Sequence, residues 1–374
     1  MHSKKSLGLV LVLLAALVMM GCPGSSPSGT DQTAETPSEA TATAEAKPKF
    51  TVAWSIYVGW MPWDYAQSSG ILDKWADKYG IEIDLVRMDY IPSVEAYVAK
   101  QVDACVMTNM EALNMPAASG IDSTALILGD YSNGNDAVLT RGIKDVKGLK
   151  GKTVSLVELS VSHYLLARAL ENNGLSEADV TLQNTSDSDI GPLFLADTAQ
   201  EAVVTWNPIV MEIEQAPGIE KIYTSADIPG EVLDMMVVRT EVLEQNPALG
   251  KALVGAWYEV MALIASETPE AEAAITVMAE ASGTDAAGYR AQLATTAMFY
   301  EAQAAAAYAK SGEIQENMNF VRKFCYDQGL LGEGVSSEDA VGVSYPDGTV
   351  QGSADNVKLR FNASFMEMAA AGTL

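Results

Sequence analysis

The chain has 374 residues, 48% of them hydrophobic, and sets 49 acidic residues against 23 basic ones for a formal charge of −26. So acidic a surface repels nucleic acid and anionic lipid, and its consequences are solubility and a mild preference for cationic ligands. With two histidines and three cysteines in all, chemistry that relies on several imidazoles or on a thiolate-rich metal centre has little to work with.

Residues 1–22, MHSKKSLGLVLVLLAALVMMGC, combine Lys4 and Lys5 with an apolar run of signal-peptide length and a small residue before Cys22. That is the pattern of an export signal rather than of a spanning helix. Gly21-Cys22 resembles the lipobox of bacterial lipoproteins, although Met19 and Met20 replace the usual Leu and Ala/Ser. The resemblance makes Cys22 the expected lipidation site and mature N-terminus, with a free surface cysteine as the alternative. Residues 23–48 are mostly Pro, Ser, Thr, Ala and Glu with no aromatic residue, a composition that cannot bury a core and reads as a flexible tether of roughly 25–30 Å reach.

From Lys49 the chain alternates strand-like and helical runs: FTVAW, the helix of ILDKWADKYG, IEIDLVRM, a helix through VEAYVAK, ACVMTN, a helix over MEALNMPAA, and STALILGD. Such alternation predicts a mostly parallel sheet flanked by helices. At GIKDVKGLKGKTVSLVEL a polar, Gly/Lys-rich segment leads into a second series: a helix over 162–173, then DVTLQNT, EAVVTWN, EKIYTS and DMMVVRT. After Arg239 the pattern is helical almost throughout, and those helices need a sheet to lean on. The expected organisation is a signal peptide at 1–22, a tether at 23–48, one lobe from 49–140 and 235–374 that includes the C-terminal helices, and a second lobe at 141–234. The two crossings between lobes would leave a cleft.

GWMPWDYAQSSGILDKWADKYGIEIDL, the VKGLKGKTV entry to the second series, SVSHYLLARALENNGL and VTWNP occur in an order and spacing that resembles the solute-binding proteins of ABC importers in the nitrate, sulfonate and taurine group. The likeness runs from about residue 50 to 330. It implies an α/β, two-lobed type II periplasmic-binding-protein fold, here with an additional helical C-terminal region. TNMEAL, GDYSNGNDAVL and VTWNP are similar, more narrowly, to binding proteins assigned to urea import and encoded beside urea carboxylase, an enzyme type associated with guanidine.

In such folds the ligand sits where loops leave the C-terminal ends of strands. Five segments qualify. In the first, WSIYVGWMPWDYA, Trp54, Tyr57 and Trp60 could wall a flat amide or guanidinium by stacking and cation–π attraction, with Trp63 and Tyr65 as packing members. In the second, Thr108 or Asn109 either caps the next helix or meets the ligand, and Glu111 sits in the first helical turn, where the helix dipole already favours an acid. The third, Asp130 to Asp136, is rich in turn formers, and Asp136 is its candidate for the cleft. The fourth offers Glu158, Ser160, Ser162 and His163; the hydroxyls match taurine- and sulfonate-type relatives, while Glu158 departs from them and would repel a sulfonate. His163 equally suits a hydrogen-bonded helix start. The fifth is Trp206 and Asn207 at the second crossing, with Asp234 a weaker candidate nearby.

Several acids around one small cleft favour a cation or an N–H-rich neutral molecule over an anion, because an uncompensated buried carboxylate is costly. The expected function is therefore that of an exported, lipid-anchored binding protein, in the periplasm or on the outer membrane face. It would capture urea, guanidine or a similar amide or amidine for a permease and ATPase, as a monomer without cofactor, metal or nucleic acid. The alternatives are a sulfonate-, taurine-, nitrate- or pyrimidine-binding protein of the same fold, a ligand sensor without transport, and an enzyme of the pyrimidine-synthesis type. The last implies a reactive lysine and several histidines, and no G-x-S-x-G, H-E-x-x-H or phosphate-binding glycine loop is present. Cys105 and Cys325 are open to pairing or to staying as buried thiols.

Overall fold

The computed structural model describes residues 46–374; the expected signal peptide, the Cys22 lipidation site and most of the tether lie outside the described residues. Fourteen strands carry the fold: β1 (Lys49–Trp54), β2 (Glu82–Arg87), β3 (Ala104–Thr108), β4 (Ser123–Ser132), β5 (Ala137–Arg141), β6 (Thr153–Leu156), β7 (Thr181–Asn184), β8 (Ala202–Thr205), β9 (Ile219–Thr224), β10 (Leu233–Arg239), β11 (Thr296–Met298), β12 (Gly342–Ser344), β13 (Val350–Gln351) and β14 (Val357–Phe361).

They form two sheets. The larger runs β13-β12-β14-β4-β10-β3-β1-β2 with β11 against β4, and the smaller runs β7-β6-β8-β5-β9. The chain leaves the large sheet after β4, builds the small one, and returns as β10. Because β10 comes back from the far side, it enters antiparallel between β3 and β4, while β1 pairs in parallel with both β2 and β3. In the small sheet β6 is parallel to β7 and β8, and β5, the outgoing strand, is antiparallel to β8 and β9. Both sheets are thus mixed: the strands at the crossings enter antiparallel, and in the large sheet β11 against β4 and β13 against β12 do so as well. β4 and β10 are nearly continuous apolar runs because helices cover both their faces.

The helices sit where their apolar stripes meet these sheets. Helix Pro247–Ile264 packs on helix Ile71–Lys78, and the approach is so close that a Cβ on Gly255 would stand 2.3 Å from the Trp75 ring. Glu259 then accepts the Trp75 indole N–H at 2.7 Å. Helix Gly312–Asp327 closes the long helical stretch. Beyond it the chain turns to strands, β12 to β14, which extend the edge of the large sheet with β14 parallel to β4, before a last helix, Ser364–Ala370. The Pro-Asp-Gly turn at 346–348 and the alternating VKLRF were the available signals for these strands. Among the described residues no single helix is long and apolar enough to cross a membrane.

Cys105 and Cys325 are both free and buried, so neither pairs with the other. Burial pushes the Cys105 thiol up to about 12, which leaves it inert.

Candidate functional site

The C-terminal ends of β1, β2, β3, β6 and β8 converge between the two sheets on a cavity of about 20 Å³. Its lining comes from both sides. The large-sheet side gives Tyr57 and Trp60 after β1, Tyr90 after β2, Thr108 closing β3, and Val232 and Asp234 at the start of β10. The small-sheet side gives Val161 after β6 and Trp206 after β8, and Asp136 stands between β4 and β5, on the crossing itself. A volume that accepts about one water is too small for a multi-atom ligand, so loading requires these walls to part. Outside Trp206 an open groove of about 510 Å³ continues to solvent, bordered by Arg87, Asp89, Asp187 and Glu212.

The walls are aromatic. Tyr57 meets Trp60 edge-on with ring centres 5.1 Å apart, Trp60 lies 5.4 Å from Tyr90, and Tyr90 meets Trp206 edge-on at 5.9 Å. The local sequence explains the first pair: Pro62 opens the helix Met61–Ser68, which turns the preceding Tyr57-Val58-Gly59-Trp60 segment across the ends of the strands. Gly59 is required there, because a Cβ would stand 2.3 Å from the Asp130 Oδ2 and 2.5 Å from the Tyr57 ring. The indole N–H of Trp60 is buried without a partner.

The floor is acidic. Asp130 and Asp234 face each other directly across the β4–β10 ladder, and the Tyr57 hydroxyl donates to Asp130 Oδ1 at 2.8 Å. The second oxygen of each, Asp130 Oδ2 and Asp234 Oδ2, is buried with no hydrogen-bond partner. Asp136 is held by the Ser132 hydroxyl, which Ser225 contacts in turn at 2.6 Å. Glu111 lies just behind Thr108; it accepts the Val161 N–H at 2.8 Å and the Thr108 hydroxyl, so it ties the large-sheet side to the first helix of the small-sheet side.

Burial dominates the titration of all four. It pushes the Asp136 carboxyl up to about 7 against the help of Ser132, and raises Glu111 against hydrogen bonds from Thr108, Tyr90 and Val161. Asp130 is raised by burial and by the charge of Asp136, and Asp234 is raised by burial and then by the neighbouring Asp130 and Asp136. Among the described residues none of the four pairs with a lysine, arginine or histidine; the buried Arg322 and the half-buried Arg168 and Arg239 are engaged elsewhere, Arg168 with Glu231, Arg239 with Asp103 and Arg322 with Asp339. Nor, among the described residues, are His, Cys, Asp and Glu grouped to hold a metal ion. The arrangement suits a small organic cation or a molecule with several N–H groups, laid against indole and phenol faces.

Of the residues singled out in the sequence, Tyr57, Trp60, Asp136 and Trp206 line the cavity, and Glu111 stands one layer behind it. Thr108 and Asp234 line it too, and the remainder are placed elsewhere. Trp54 is buried within β1. Asn109 staples its helix to the approach of β10, donating to the Glu231 carbonyl at 3.0 Å and accepting the Leu233 N–H at 3.2 Å. Ser160 caps the helix Val161–Asn172 and donates to the Val157 carbonyl at 2.7 Å. Glu158 does not line the cavity; its N–H binds Asn184 at 3.0 Å. His163 accepts the Leu159 N–H at 3.1 Å, contacts Glu177 and packs on Phe324. Asn207, beside a cis bond to Pro208, spends its side chain on Met211 N–H and Thr295. Thr108 both caps its helix and lines the cavity. The sequence gives little sign of Tyr90 and Asp130 and only a weak one of Asp234: Tyr90 reads as an ordinary helix-start residue, and Asp130 is one of several acids in a turn-rich stretch. The one signal was an aspartate interrupting an apolar strand in both β4 and β10, at STALILGD and LDMMVV.

Comparison with known proteins bears on the architecture. Residues 135–271 match the family described as NMT1/THI5 like. No curated protein matches the chain by sequence. Among solved structures the fold superposes on the periplasmic aliphatic sulphonate binding protein SsuA from Escherichia coli with a TM-score of 0.63 and 19% identity, over 77% of this chain and 95% of that one. The alkanesulfonate-binding protein SsuA from Xanthomonas axonopodis pv. citri, bound to MOPS, gives 0.62 and 17% over 77% and 96%. A Candida albicans gene product with the generic periplasmic binding protein fold gives 0.58 and 16% over 77% and 92%. The two-lobed α/β periplasmic-binding-protein architecture expected from the sequence is therefore that of this chain.

Proposed function

We propose that this protein is the extracytoplasmic solute-binding component of an ABC importer, and that it captures a small nitrogen-rich solute of the urea, guanidine or amidine type between its two lobes. The fold supports the first half: its solved neighbours include periplasmic binding proteins, and its cavity lies at the crossings between two sheets, where lobes of this architecture close on a ligand. The resemblance of the opening loop and of VTWNP to importer components supports it further, and a permease and an ATPase are the implied partners.

The observation that carries the second half is the buried trio Asp130, Asp136 and Asp234, with two orphaned carboxylate oxygens and no counter-cation. A sulfonate brought into that setting would meet like charge at close range. A guanidinium or a urea brings N–H donors to the carboxylates and a flat face to Trp60 and Trp206. Thermal unfolding of the purified protein against guanidinium, methylguanidine, urea, formamide, taurine, nitrate and an aminopyrimidine is the direct test, since a ligand that binds the folded state stabilises it, by about 4 kcal/mol at a thousandfold excess over its Kd, and so raises the midpoint. A shift confined to the N–H-rich compounds is expected. A shift with taurine or nitrate would show that the acids do not meet the ligand.

A further inference from the structure

Asp130 and Asp234 pose a problem that the solute-binding reading alone leaves open. They oppose each other in register on adjacent antiparallel strands, both are buried, and each keeps one oxygen with no protein partner. Two carboxylates so placed cannot both be ionised in a low-dielectric site unless a positive charge joins them. The ionisable groups that face them are Tyr57, Asp136 and, farther off, Tyr90, Glu111, Tyr289 and Tyr300, and not one of these supplies a positive charge. A proton shared between the pair meets the need when the site holds no cation.

We propose that the ligand enters as a planar cation and takes the place of a proton held between Asp130 and Asp234, so that the site selects a guanidinium-type cation over its neutral isostere urea. The proposal rests on the solute-binding reading and deepens it. Guanidinium and urea share a flat, three-armed outline and differ in charge and in the number of N–H donors. Shape and stacking against Trp60 and Trp206 would serve both; only the cation replaces a proton. The Tyr57 hydroxyl, already donating to Asp130 Oδ1, orients that carboxylate against Asp234, which lines the cavity and keeps its Oδ2 for the incoming N–H. Raised proton affinity at Asp130, Asp234 and Asp136, caused by burial and mutual repulsion, puts the exchange within reach of neutral pH.

Isothermal titration calorimetry of the full-length protein with guanidinium chloride and with urea, from pH 5.5 to 8 and in two buffers of different ionisation enthalpy, tests it. Guanidinium affinity should rise towards roughly tenfold per pH unit in the lower part of the range and flatten at the top, as linkage of one released proton requires. The observed heats should differ between buffers by the proton released. Urea should bind at least about a hundredfold more weakly at pH 8, with no buffer dependence. Asp234→Asn should abolish the pH slope; the two-buffer comparison on the unsubstituted protein needs no variant to fold. Equal heats in both buffers with flat guanidinium affinity, or urea as the tighter ligand at pH 8, would overturn the exchange and leave the solute-binding reading standing. Binding of taurine or nitrate with neither guanidinium nor urea would overturn both.

Discussion

Two buried acidic centres lie three residues apart in sequence and are built on opposite terms. Glu231, just before β10, receives Arg168 at 2.9 and 3.0 Å and the Tyr164 hydroxyl, so its charge is fully answered from within the chain. Asp234, on β10 itself, faces Asp130 and Asp136 and no cation at all. The first joins the large sheet to a small-sheet helix, and the second lies within the large sheet and at the crossing after β4. The first is complete as folded and acts as a fixed strut between Val161–Asn172 and the returning strand; the second is complete only with a cation from outside. The comparison separates acids that hold the fold from acids that wait for a ligand, a distinction that residue type and burial alone do not make.

The sharpest way to break the comparison is to make the first centre resemble the second. Arg168→Met leaves Glu231 buried beside Tyr164 without its cation, and should cost about 3–5 kcal/mol in chemical denaturation, the usual consequence of removing one partner of a buried ion pair. If the loss stayed under about 1 kcal/mol, Glu231 would be taking up a proton as readily as the aspartates, and the two centres would not differ in kind.

A second effect of similar size belongs to the acidic centre and depends on pH. Asp136 has its proton affinity raised to about 7 in the folded protein, and an unfolded aspartate titrates near 3.9. The folded state therefore holds protons that the unfolded state has lost, and stability falls as pH rises from about 4 to about 7. For one such carboxyl the change is on the order of 4 kcal/mol. Denaturant midpoints of the unliganded protein at pH 4 and pH 8 measure it. Saturating guanidinium should flatten the slope, because the cation takes over the compensation; Asp136→Asn should reduce it without ligand, with Asp130 and Asp234 supplying the remainder. A midpoint that rises between pH 4 and 8 in the unliganded protein would mean that solvent reaches these carboxylates.

Much of this was legible before any coordinates, and the part that was not has a physical reason. The alternation of β and α runs fixed the class, and Tyr57, Trp60, Asp136 and Trp206 could be picked because each leaves the C-terminal end of a strand or a crossing, where this architecture exposes side chains to the cleft. Asp130 and Asp234 were harder. Their significance comes from register: they are 104 positions apart by number, and only the antiparallel entry of β10 between β3 and β4 brings them opposite each other. Trp54, Ser160, Asn109 and His163 illustrate the reverse error. Aromatic, hydroxyl, amide and imidazole groups at strand ends are as useful for packing and capping as for binding, and which use they serve depends on neighbours, local ones such as Val157 for Ser160 and distant ones such as Phe324 for His163 and Leu233 for Asn109. The C-terminal strands escaped because β12 and β13 are three and two residues long, too short to show a period.

The smallest expected effect draws the same line among the tryptophans. Trp63 stacks obliquely on Trp257 at 5.1 Å in the core, whereas Trp206 has one edge on Tyr90 and borders both the inner cavity and the outer groove. Trp206→Ala should weaken guanidinium binding by about 0.5–2 kcal/mol, a few-fold to some thirtyfold in Kd, the range of a desolvated cation–π contact. The loss should fall mostly on the dissociation rate, since a wall that closes behind the ligand governs escape more than entry. Stopped-flow tryptophan fluorescence with Trp206→Phe alongside distinguishes a face from a plug: a phenyl ring keeps part of the π surface and should recover part of the affinity, whereas filling the opening alone would be served equally by leucine. Equal rescue by Trp206→Leu would assign Trp206 to exclusion of water, leaving the carboxylates as the sole recognition element for charge.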